Sequence, residues 1–283
     1  MPIQPVVGVG QEAQLGFKSL QLSPQRERIL LLGQPSAGKT TCALTASTKF
    51  DPAKRGDGVV IDDICVITAD SAALSFARAL GYEFAYWLDL SEHLGKTVTE
   101  FGKVAKQMFE MANKLAKAGK IHTVIFDNIS TVDAYWGGEL ARNFEGWALG
   151  ERLNMEHKTL MLERVLPTVC NVILIAHTKV MSKADDEKRA TLGLEREDRL
   201  VMDVSAWNGP KMYRAQTTIR LPVKRISGKG VKEDTYSLYP RGVDGIEAGC
   251  RHPALLAHEK LPASMQAVFQ IIKEGAGAVV SRA

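Results

Sequence analysis

The sequence predicts an α/β fold, in which a mostly parallel β-sheet lies between helices and an antiparallel hairpin follows near the C-terminus. Short apolar runs alternate along the chain with segments of helical periodicity, which is the pattern of parallel strands joined by helical crossovers. A glycine-rich loop separates the first apolar run from the first helical segment. Near the C-terminus, segments 217–226 and 234–239 flank a Gly-containing turn, as the strands of a hairpin do.

Each predicted core strand is a short run of apolar residues. The first, RILLL at 28–32, stops at Gly33. The other runs are at 64–69, 84–90, 122–126 and 171–176. The last two of these runs end at Asp127 and His177. Runs that are apolar throughout, rather than alternating with polar residues, indicate strands that are buried on both faces.

The clearest predicted helix is at 97–120, because apolar residues recur along one side of it at helical spacing. Those residues are Val98, Phe101, Ala105, Met108, Ala112 and Leu115. Further helices are predicted at 39–50, 72–80, 154–166, 209–215 and 262–273. A highly charged segment, 179–203, separates the last core strand from the helix at 209–215.

The length of the chain fits one large domain, or one domain with a small appendage. The predicted division is a polar lead-in at 1–25, a core at 26–245 and a C-terminal helical extension at 246–283. No apolar run approaches the roughly 18 residues that span a bilayer, and the N-terminus lacks the pattern of a signal peptide. The cysteines are far apart, which favours reduced thiols and a cytoplasmic location. The net charge of +4 is compatible with a nucleic-acid partner without indicating one.

Residues 33–40, GQPSAGKT, match the phosphate-loop pattern GxxxxGK[ST] between a predicted strand and a predicted helix. The glycines allow unusual backbone angles and close approach of phosphate oxygens, and successive N–H groups then form an anion nest. Lys39 would reach the β- and γ-phosphates of ATP, and the Thr40 hydroxyl would bind Mg²⁺. The predicted ATP-binding residues are Gly33, Gln34, Pro35, Ser36, Ala37, Gly38, Lys39, Thr40 and Thr41. The alternative is a plain glycine-rich turn.

Polar residues at strand ends supply the rest of the predicted catalytic set, which is Lys39, Asp70, Asp127 and His177. Asp127 ends the run HTVIF, where its carboxylate would hold Mg²⁺ together with Thr40. Asp70 follows the second core strand and could orient or deprotonate the attacking water. His177 would lie beside Asp127 and could sense the γ-phosphate. The alternatives are a helix cap for either aspartate and a bond to a neighbouring loop for His177.

Four segments, taken in order, resemble the RecA-like P-loop ATPase family. GQPSAGKT resembles its Walker A motif, and HTVIFDNIS resembles its Walker B strand, with Ser130 shortly after Asp127. NVILIAHTK resembles the strand that ends in a polar γ-phosphate sensor, and residues 209–226 resemble a Lys-containing helix that leads into an Arg-rich antiparallel strand. The short chain is most similar to the compact phage-encoded ATPases of single-strand annealing and recombination.

The resemblance implies ATP and Mg²⁺ bound at the subunit interfaces of a ring or filament, in the host cytoplasm if the chain is phage-encoded. Its partners would be single-stranded DNA and, further, a single-strand-binding protein, with no membrane involved. Segment 179–203 would match the mobile loop that faces DNA, and Lys211 and Arg214 would approach a neighbouring subunit's nucleotide. The candidate DNA-contacting residues are Lys179 and Lys183 in that segment and Lys229 and Lys232 in the hairpin turn.

Some positions depart from the family pattern. Bacterial RecA proteins carry a glutamate just after the second strand, where this chain has Asp70 within the sequence ADSA. The sensor position is His177 rather than glutamine. Segment 179–203 mixes acids with its cations, as an ordinary solvated surface does.

The expected function is an ATPase, stimulated by DNA, that binds single strands in recombination or strand annealing. A helicase, a helicase loader or another partner-remodelling ATPase of DNA replication would carry the same motifs but would separate strands or deliver another protein. A nucleotide-binding switch would bind ATP with little hydrolysis. A small-molecule kinase would need an arginine-rich lid and an acceptor pocket.

Overall fold

The computed structural model describes residues 26–70, 72–180, 200–205, 209–226, 235–243, 246 and 248–280. Their strands are β1 Arg28–Gly33, β2 Val60–Ile61, β3 Ile64–Thr68, β4 Glu83–Phe84, β5 Trp87–Asp89, β6 Thr123–Asp127, β7 Asn171–Val180, β8 Leu200–Met202, β9 Ile219–Ile226, β10 Thr235–Leu238, β11 Gly249–Cys250 and β12 Leu261–Pro262. Their α-helices are α1 Lys39–Leu44, α2 Ser75–Ala79, α3 Val98–Lys117, α4 Ile129–Leu140, α5 Gly146–Thr159, α6 Gly209–Gln216, α7 Pro253–Leu256 and α8 Met265–Val280. A 3₁₀ turn lies at Ser91–His93, and a π-helical turn, Leu160–Val165, continues α5.

The main sheet has the strand order β12-β10-β9-β1-β7-β6-β3-β5. The six strands from β9 to β5 are parallel to their neighbours. Strand β10 runs antiparallel to β9, β12 antiparallel to β10, and β8 antiparallel to the end of β7. The predictions of a mostly parallel sheet and a C-terminal antiparallel hairpin are therefore confirmed. Within the hairpin, β9 itself is parallel to β1, so β10 is the strand that reverses direction.

Both faces of the sheet are covered by apolar layers, because alternate side chains of each buried strand point to opposite faces. Leu30 and Leu32 join the layer that includes residues of α3, α4, α5 and α6. Ile29 and Leu31 join the layer that includes residues of α1, α2 and α8. The continuous burial of β1 fits its central place in the sheet and leaves its carboxyl end, at Gly33, to project the following loop.

The start of helix α8 bonds to the residues that directly follow α1. The Met265 amide donates to Thr45 Oγ1 across 2.7 Å, and the Gln266 side chain donates to the Ser47 carbonyl across 2.6 Å. The boundary predicted at residue 246 stays a prediction, as does the boundary after the lead-in, since residues 1–25 lie outside the described residues. No helix in the described part of the chain is both long and apolar enough to cross a membrane.

Some predicted elements have different bounds. Helix α1 ends at Leu44 rather than at residue 50, because the Thr45 hydroxyl bonds the Cys42 carbonyl and the Ser47 hydroxyl bonds Asp63, and both compete with the helical pattern. The strand predicted at 84–90 is two short strands, of which β4 pairs with β2 outside the main sheet. Helix α2 begins at Ser75, three residues later than predicted. Helix α5 begins at Gly146, well before the predicted residue 154.

The prediction that a strand ends at His177 was wrong, since β7 continues to Val180. Its last residues leave the parallel register and pair with β8, with Thr178 opposite Met202 and Val180 opposite Leu200. His177 is the last residue of β7 in register with β1, where it lies opposite Gly33. It therefore still lies at the edge of the parallel sheet from which the glycine-rich loop projects.

Candidate nucleotide-binding site

The glycine-rich loop joins β1 to α1 through backbone angles that favour glycine. Gly38 has a φ of 82°, and Ser36 has a φ of 62°. A Cβ at Gly38 would lie 2.5 Å from the Tyr236 ring, and a Cβ at Gly33 would lie 2.6 Å from the Val223 carbonyl oxygen. Gly38 is thus required both by its positive φ and by the close approach of Tyr236, whereas Gly33 is required by the close approach of the Val223 carbonyl alone.

Lys39 folds back over its own loop. Its side chain is buried, and Nζ donates to the Gly33 carbonyl across 2.9 Å and to the Gln34 carbonyl across 2.7 Å. Burial lowers the pKa of Lys39 to about 8, and the negative charge of Asp127 offsets part of this effect. A cation held in this way gains from any nearby anion that compensates its lost hydration.

Thr40 connects the loop to the strand that ends in Asp127. The Thr40 hydroxyl donates to Asp127 Oδ2 across 2.6 Å. Asp127 is the last residue of β6, and its backbone carbonyl accepts from the Ala69 amide across 2.6 Å, which fixes it against β3. The two residues predicted to hold Mg²⁺ are therefore in direct contact. The peptide bond after Asp127 is cis.

The carboxylate of Asp127 is 2% exposed. Burial raises its pKa to about 6, and the charge of Asp70 raises it further, while the Thr40 hydrogen bond and Lys39 act in the opposite direction. A buried carboxylate with so few donors is poorly compensated, which is the environment in which a divalent cation binds favourably.

His177 lies on β7, which pairs on one side with β1, the strand before the glycine-rich loop, and on the other with β6, the strand that ends in Asp127. Its amide donates to Ser130 Oγ across 2.9 Å, and its carbonyl accepts from the Asp203 amide across 2.8 Å. Its Nδ1 is buried with no hydrogen-bond partner among the described residues. Burial lowers the pKa of His177, and Lys39 lowers it further, while Asp203 and Asp70 raise it. The imidazole is thus close enough to Lys39 and Asp70 to sense their charges.

Asp70 follows β3, and its Oδ1 accepts from the Ala72 amide across 2.9 Å. This contact does not cap a helix, because the N-cap of α2 is Leu74 and no side chain caps it, so the helix-cap alternative for Asp70 was wrong. The charge of Asp70 acts on both Asp127 and His177, so the carboxylate lies in the same cluster. One oxygen holds the turn, and the second makes no hydrogen bond within the described residues.

The donor set fits Mg²⁺ bound together with phosphate. Within the described ranges, no three His, Cys, Asp or Glu side chains lie close enough to hold a metal ion by themselves. Mg²⁺ commonly uses one or two carboxylates together with waters and substrate phosphates rather than an all-protein cage. Thr40 Oγ1 and the Asp127 carboxylate, next to a loop of backbone N–H groups, are such a partial set.

The remaining predicted residues lie elsewhere. Lys211 and Arg214 are exposed on α6, and their approach to a neighbouring subunit's nucleotide stays a prediction. Lys179, on β7 two residues beyond His177, forms an exposed ion pair with Asp203 at 2.9 Å. Lys183 in segment 179–203, and Lys229 and Lys232 in the hairpin turn, lie outside the described residues. Whether any of these cations contacts DNA stays a prediction.

Two features of the site were missed in the sequence. Helix α4 was not predicted, although Ile129, Val132 and Trp136 recur at helical spacing after Asn128, whose side chain accepts from the Thr131 amide across 2.7 Å. The contact of Tyr236 with Gly38 has no local signal, because the loop and β10 are far apart in the sequence.

No protein-family model matches the sequence, and the comparison with curated proteins gave no match. The geometry of the site itself is therefore what bears on function.

Proposed function

We propose that this chain is a RecA-like P-loop ATPase that binds Mg-ATP on residues 33–41 and hydrolyses it. The observation that carries the proposal is the Thr40–Asp127 hydrogen bond of 2.6 Å, which places a loop hydroxyl and a strand-end carboxylate together beside the buried cation of Lys39. The strand order supports it too, because β7 brings His177 between the loop strand and the acid strand.

Each residue then has a distinct role. Lys39, now bonded to the Gly33 and Gln34 carbonyls, would exchange those contacts for the β- and γ-phosphate oxygens. Thr40 and Asp127 would hold Mg²⁺, which when bound neutralises charge on the β- and γ-phosphates. Asp70 would orient the attacking water and accept its proton, in place of the glutamate of bacterial RecA proteins. His177 would report the γ-phosphate to the residues that follow it.

We infer that single-stranded DNA is the partner, in recombination or strand annealing. The support is the resemblance together with the path of β7, which leads from His177 into segment 179–203 within a few residues. Both ends of this segment are held at the same edge of the sheet, since Val180 pairs with Leu200. A ligand at the phosphates and a polymer at this segment would therefore act on the same strand.

The test is ATP hydrolysis by the purified full chain, with and without single-stranded DNA, at low and moderate salt. Stimulation by single strands that weakens as salt rises supports the proposal, because phosphate contacts release counterions. Hydrolysis that ignores DNA contradicts the DNA role and favours a partner-remodelling ATPase such as a helicase loader. Binding without hydrolysis favours a nucleotide-dependent switch.

A further inference from the structure

A buried polar network joins three helices behind the candidate nucleotide site. Asp133 on α4 contacts His157 on α5, with 2.7 Å between Oδ1 and Nε2, and His157 contacts Tyr213 on α6, with 2.8 Å between Nδ1 and the hydroxyl oxygen. The three side chains are 3%, 0% and 0% exposed. We call Asp133, His157 and Tyr213 the Asp–His–Tyr network. It is distinct from the residues that the nucleotide would touch.

The proton positions in this network follow from its ends. The Asp133 carboxylate accepts, so His157 donates from Nε2, and in the neutral ring Nδ1 is then the acceptor for the Tyr213 hydroxyl. Burial, together with the charge of Asp133, raises the pKa of Tyr213 well above its ordinary value, so the phenol keeps its proton. Burial also acts to raise the pKa of Asp133, but hydrogen bonds from His157 and the Ser205 amide outweigh it and the pKa is lowered.

The second oxygen of Asp133 holds a different element. Its Oδ2 accepts from the Ser205 amide across 2.7 Å, in the short stretch after β8. In that stretch the Asp203 amide donates to the His177 carbonyl across 2.8 Å. One turn before Asp133 on α4, Ser130 Oγ accepts from the His177 amide across 2.9 Å. Helix α4 therefore anchors both sides of His177, one through Ser130 and the other through Asp133 and the stretch after β8.

Tyr213 extends this connection to α6. It lies between Lys211 and Arg214, which are exposed on the same helix. Its carbonyl accepts from Thr217, through the amide across 3.0 Å and through the hydroxyl across 2.6 Å, just before β9. Buried polar groups are tolerated only when they are fully hydrogen-bonded, and apolar side chains of similar volume can pack helices equally well. Packing alone therefore does not call for this network. The directional contacts instead fix α6 relative to the strand that carries His177.

We propose that Asp133, His157 and Tyr213 are positioning residues that couple nucleotide at the phosphate loop to the order of helix α6. This inference rests on the proposed function, because it takes nucleotide as the ligand that acts on His177. Loss of the Tyr213 hydroxyl should leave ATP affinity nearly unchanged while the response of α6 is lost. Hydrolysis should change in kcat rather than in KM, because ground-state binding does not use the network.

The experiment is hydrogen exchange of the full chain, with and without Mg²⁺ and the non-hydrolysable analogue adenylyl imidodiphosphate. In the wild type, the analogue should slow exchange of the amides at 209–216 by about fivefold, a local change of about 1 kcal/mol. In Tyr213→Phe and in Asp133→Asn, the analogue should slow exchange of the same amides by less than about twofold. The affinity of each variant for the analogue should stay within about threefold of the wild-type affinity.

The matched control is Tyr82→Phe. Tyr82 is also buried, and its hydroxyl donates to the Asp51 carbonyl across 3.0 Å, but it belongs to the layer on the opposite face of the sheet. The Tyr82 hydroxyl also accepts from the Asp51 amide across 3.2 Å, so this variant loses at least as much hydrogen bonding as Tyr213→Phe and should still keep the wild-type response of residues 209–216. If Tyr213→Phe does not fold, Asp133→Asn, which keeps the shape of the side chain, carries the test.

The outcomes separate the two ideas. A wild type that binds no analogue overturns the proposed function and this inference with it. A wild type that binds, while Tyr213→Phe and Asp133→Asn show the full response of α6, overturns the inference alone. Variants whose α6 amides exchange freely even without nucleotide show a network that serves only folding, which also overturns it.

Discussion

The Thr40 hydroxyl donates a hydrogen bond of 2.6 Å to the Asp127 carboxylate, although the two residues are 87 positions apart in the chain. This contact joins the start of α1 to the end of β6. The two sequence patterns that predicted a Mg-nucleotide site, the GxxxxGK[ST] loop and the apolar run that ends at Asp127, are therefore adjacent in the fold. It also means that the two oxygens proposed to hold Mg²⁺ can be tested as a pair.

The pair should behave as one unit toward Mg²⁺. Thr40→Val and Asp127→Asn should each weaken Mg-ATP binding severely, and the double variant should be little worse than either, because both remove the same metal contact. Thr40→Ser, which keeps the hydroxyl, should bind nearly as the wild type does. The measurement is the affinity for Mg-ATP by calorimetry, as a double-mutant cycle. Fully additive losses would show that the two residues act separately.

Asp70 should be needed for hydrolysis but not for binding. Asp70→Asn keeps an oxygen for the Ala72 amide but cannot accept a proton from water, so we expect kcat to fall by about 100-fold or more with little change in ATP affinity. The matched control is Asp51→Asn, since Asp51 Oδ1 also accepts from an amide two residues on, that of Ala53, across 2.9 Å. Unchanged hydrolysis by Asp70→Asn, measured as phosphate release, would remove Asp70 from the mechanism.

Gly38 should be irreplaceable for both a backbone and a packing reason. Gly38→Ala places a Cβ at a φ of 82° and against the Tyr236 ring. Gly58 has a φ of 77° with open space where a Cβ would lie, so Gly58→Ala carries the backbone strain alone. We expect Gly58→Ala to cost about 1–2 kcal/mol of unfolding free energy and Gly38→Ala to cost more.

The contact with Tyr236 can be separated from the strain by a second substitution. In a Tyr236→Ala background, the cost of Gly38→Ala in urea unfolding should fall to about that of Gly58→Ala, about 1–2 kcal/mol. If the two glycine substitutions cost the same in the wild-type background, Tyr236 does not press on the loop.

Mg-ATP binding should weaken as pH falls through about 6, because the pKa of Asp127 is raised to about 6 by burial and the protonated carboxyl no longer holds Mg²⁺. In the absence of nucleotide, the contribution of Asp127 to the free energy of unfolding should instead increase as pH falls. The folded pKa exceeds the ordinary value of 3.8, so the contribution of Asp127 is full below that value and is lost as pH rises to about 6.

The pH effect is measured by Mg-ATP calorimetry between pH 5 and about 8, a window that brackets the raised pKa. Because ATP and other groups titrate in the same range, Asp127→Asn serves as the reference. Its residual binding should show a shallower pH dependence than the wild type, and equal slopes would exclude Asp127 as the titrating group.

The sequence predicted most strands of the core and the glycine-rich turn between β1 and α1, because apolar runs and the GxxxxGK[ST] spacing are local signals. Residues at strand ends, such as Asp127, could be placed at one edge because parallel strands end together. Helix α1 was predicted too long, since the hydroxyls of Thr45 and Ser47 compete with the backbone pattern in a way that apolar periodicity does not register.

Other features could not be predicted because they join residues far apart in the chain. His157 and Tyr213 are 56 positions apart, and each looks by itself like an ordinary helix residue. The extension of β7 past His177 depends on pairing with β8. The three residues of β8, Leu200–Met202, follow a long charged segment and are too short a run to indicate a strand. Tyr236 reaches Gly38 only because β10 folds back on β9.

The most direct test is the affinity of the purified chain for Mg-ATP, measured by calorimetry for the wild type and for Lys39→Met. We expect wild-type binding that requires Mg²⁺ and at least about 100-fold weaker binding by the variant, because the cation that meets the phosphates is gone. The variant should stay folded, within about 1 kcal/mol of the wild type, since no longer burying a charge offsets the loss of the two hydrogen bonds to the Gly33 and Gln34 carbonyls. Lys49→Met, which removes an exposed lysine paired with Asp62 at 2.6 Å, should bind normally. Equal binding by the wild type and Lys39→Met, or none by the wild type, would contradict the assignment of this loop as a nucleotide site.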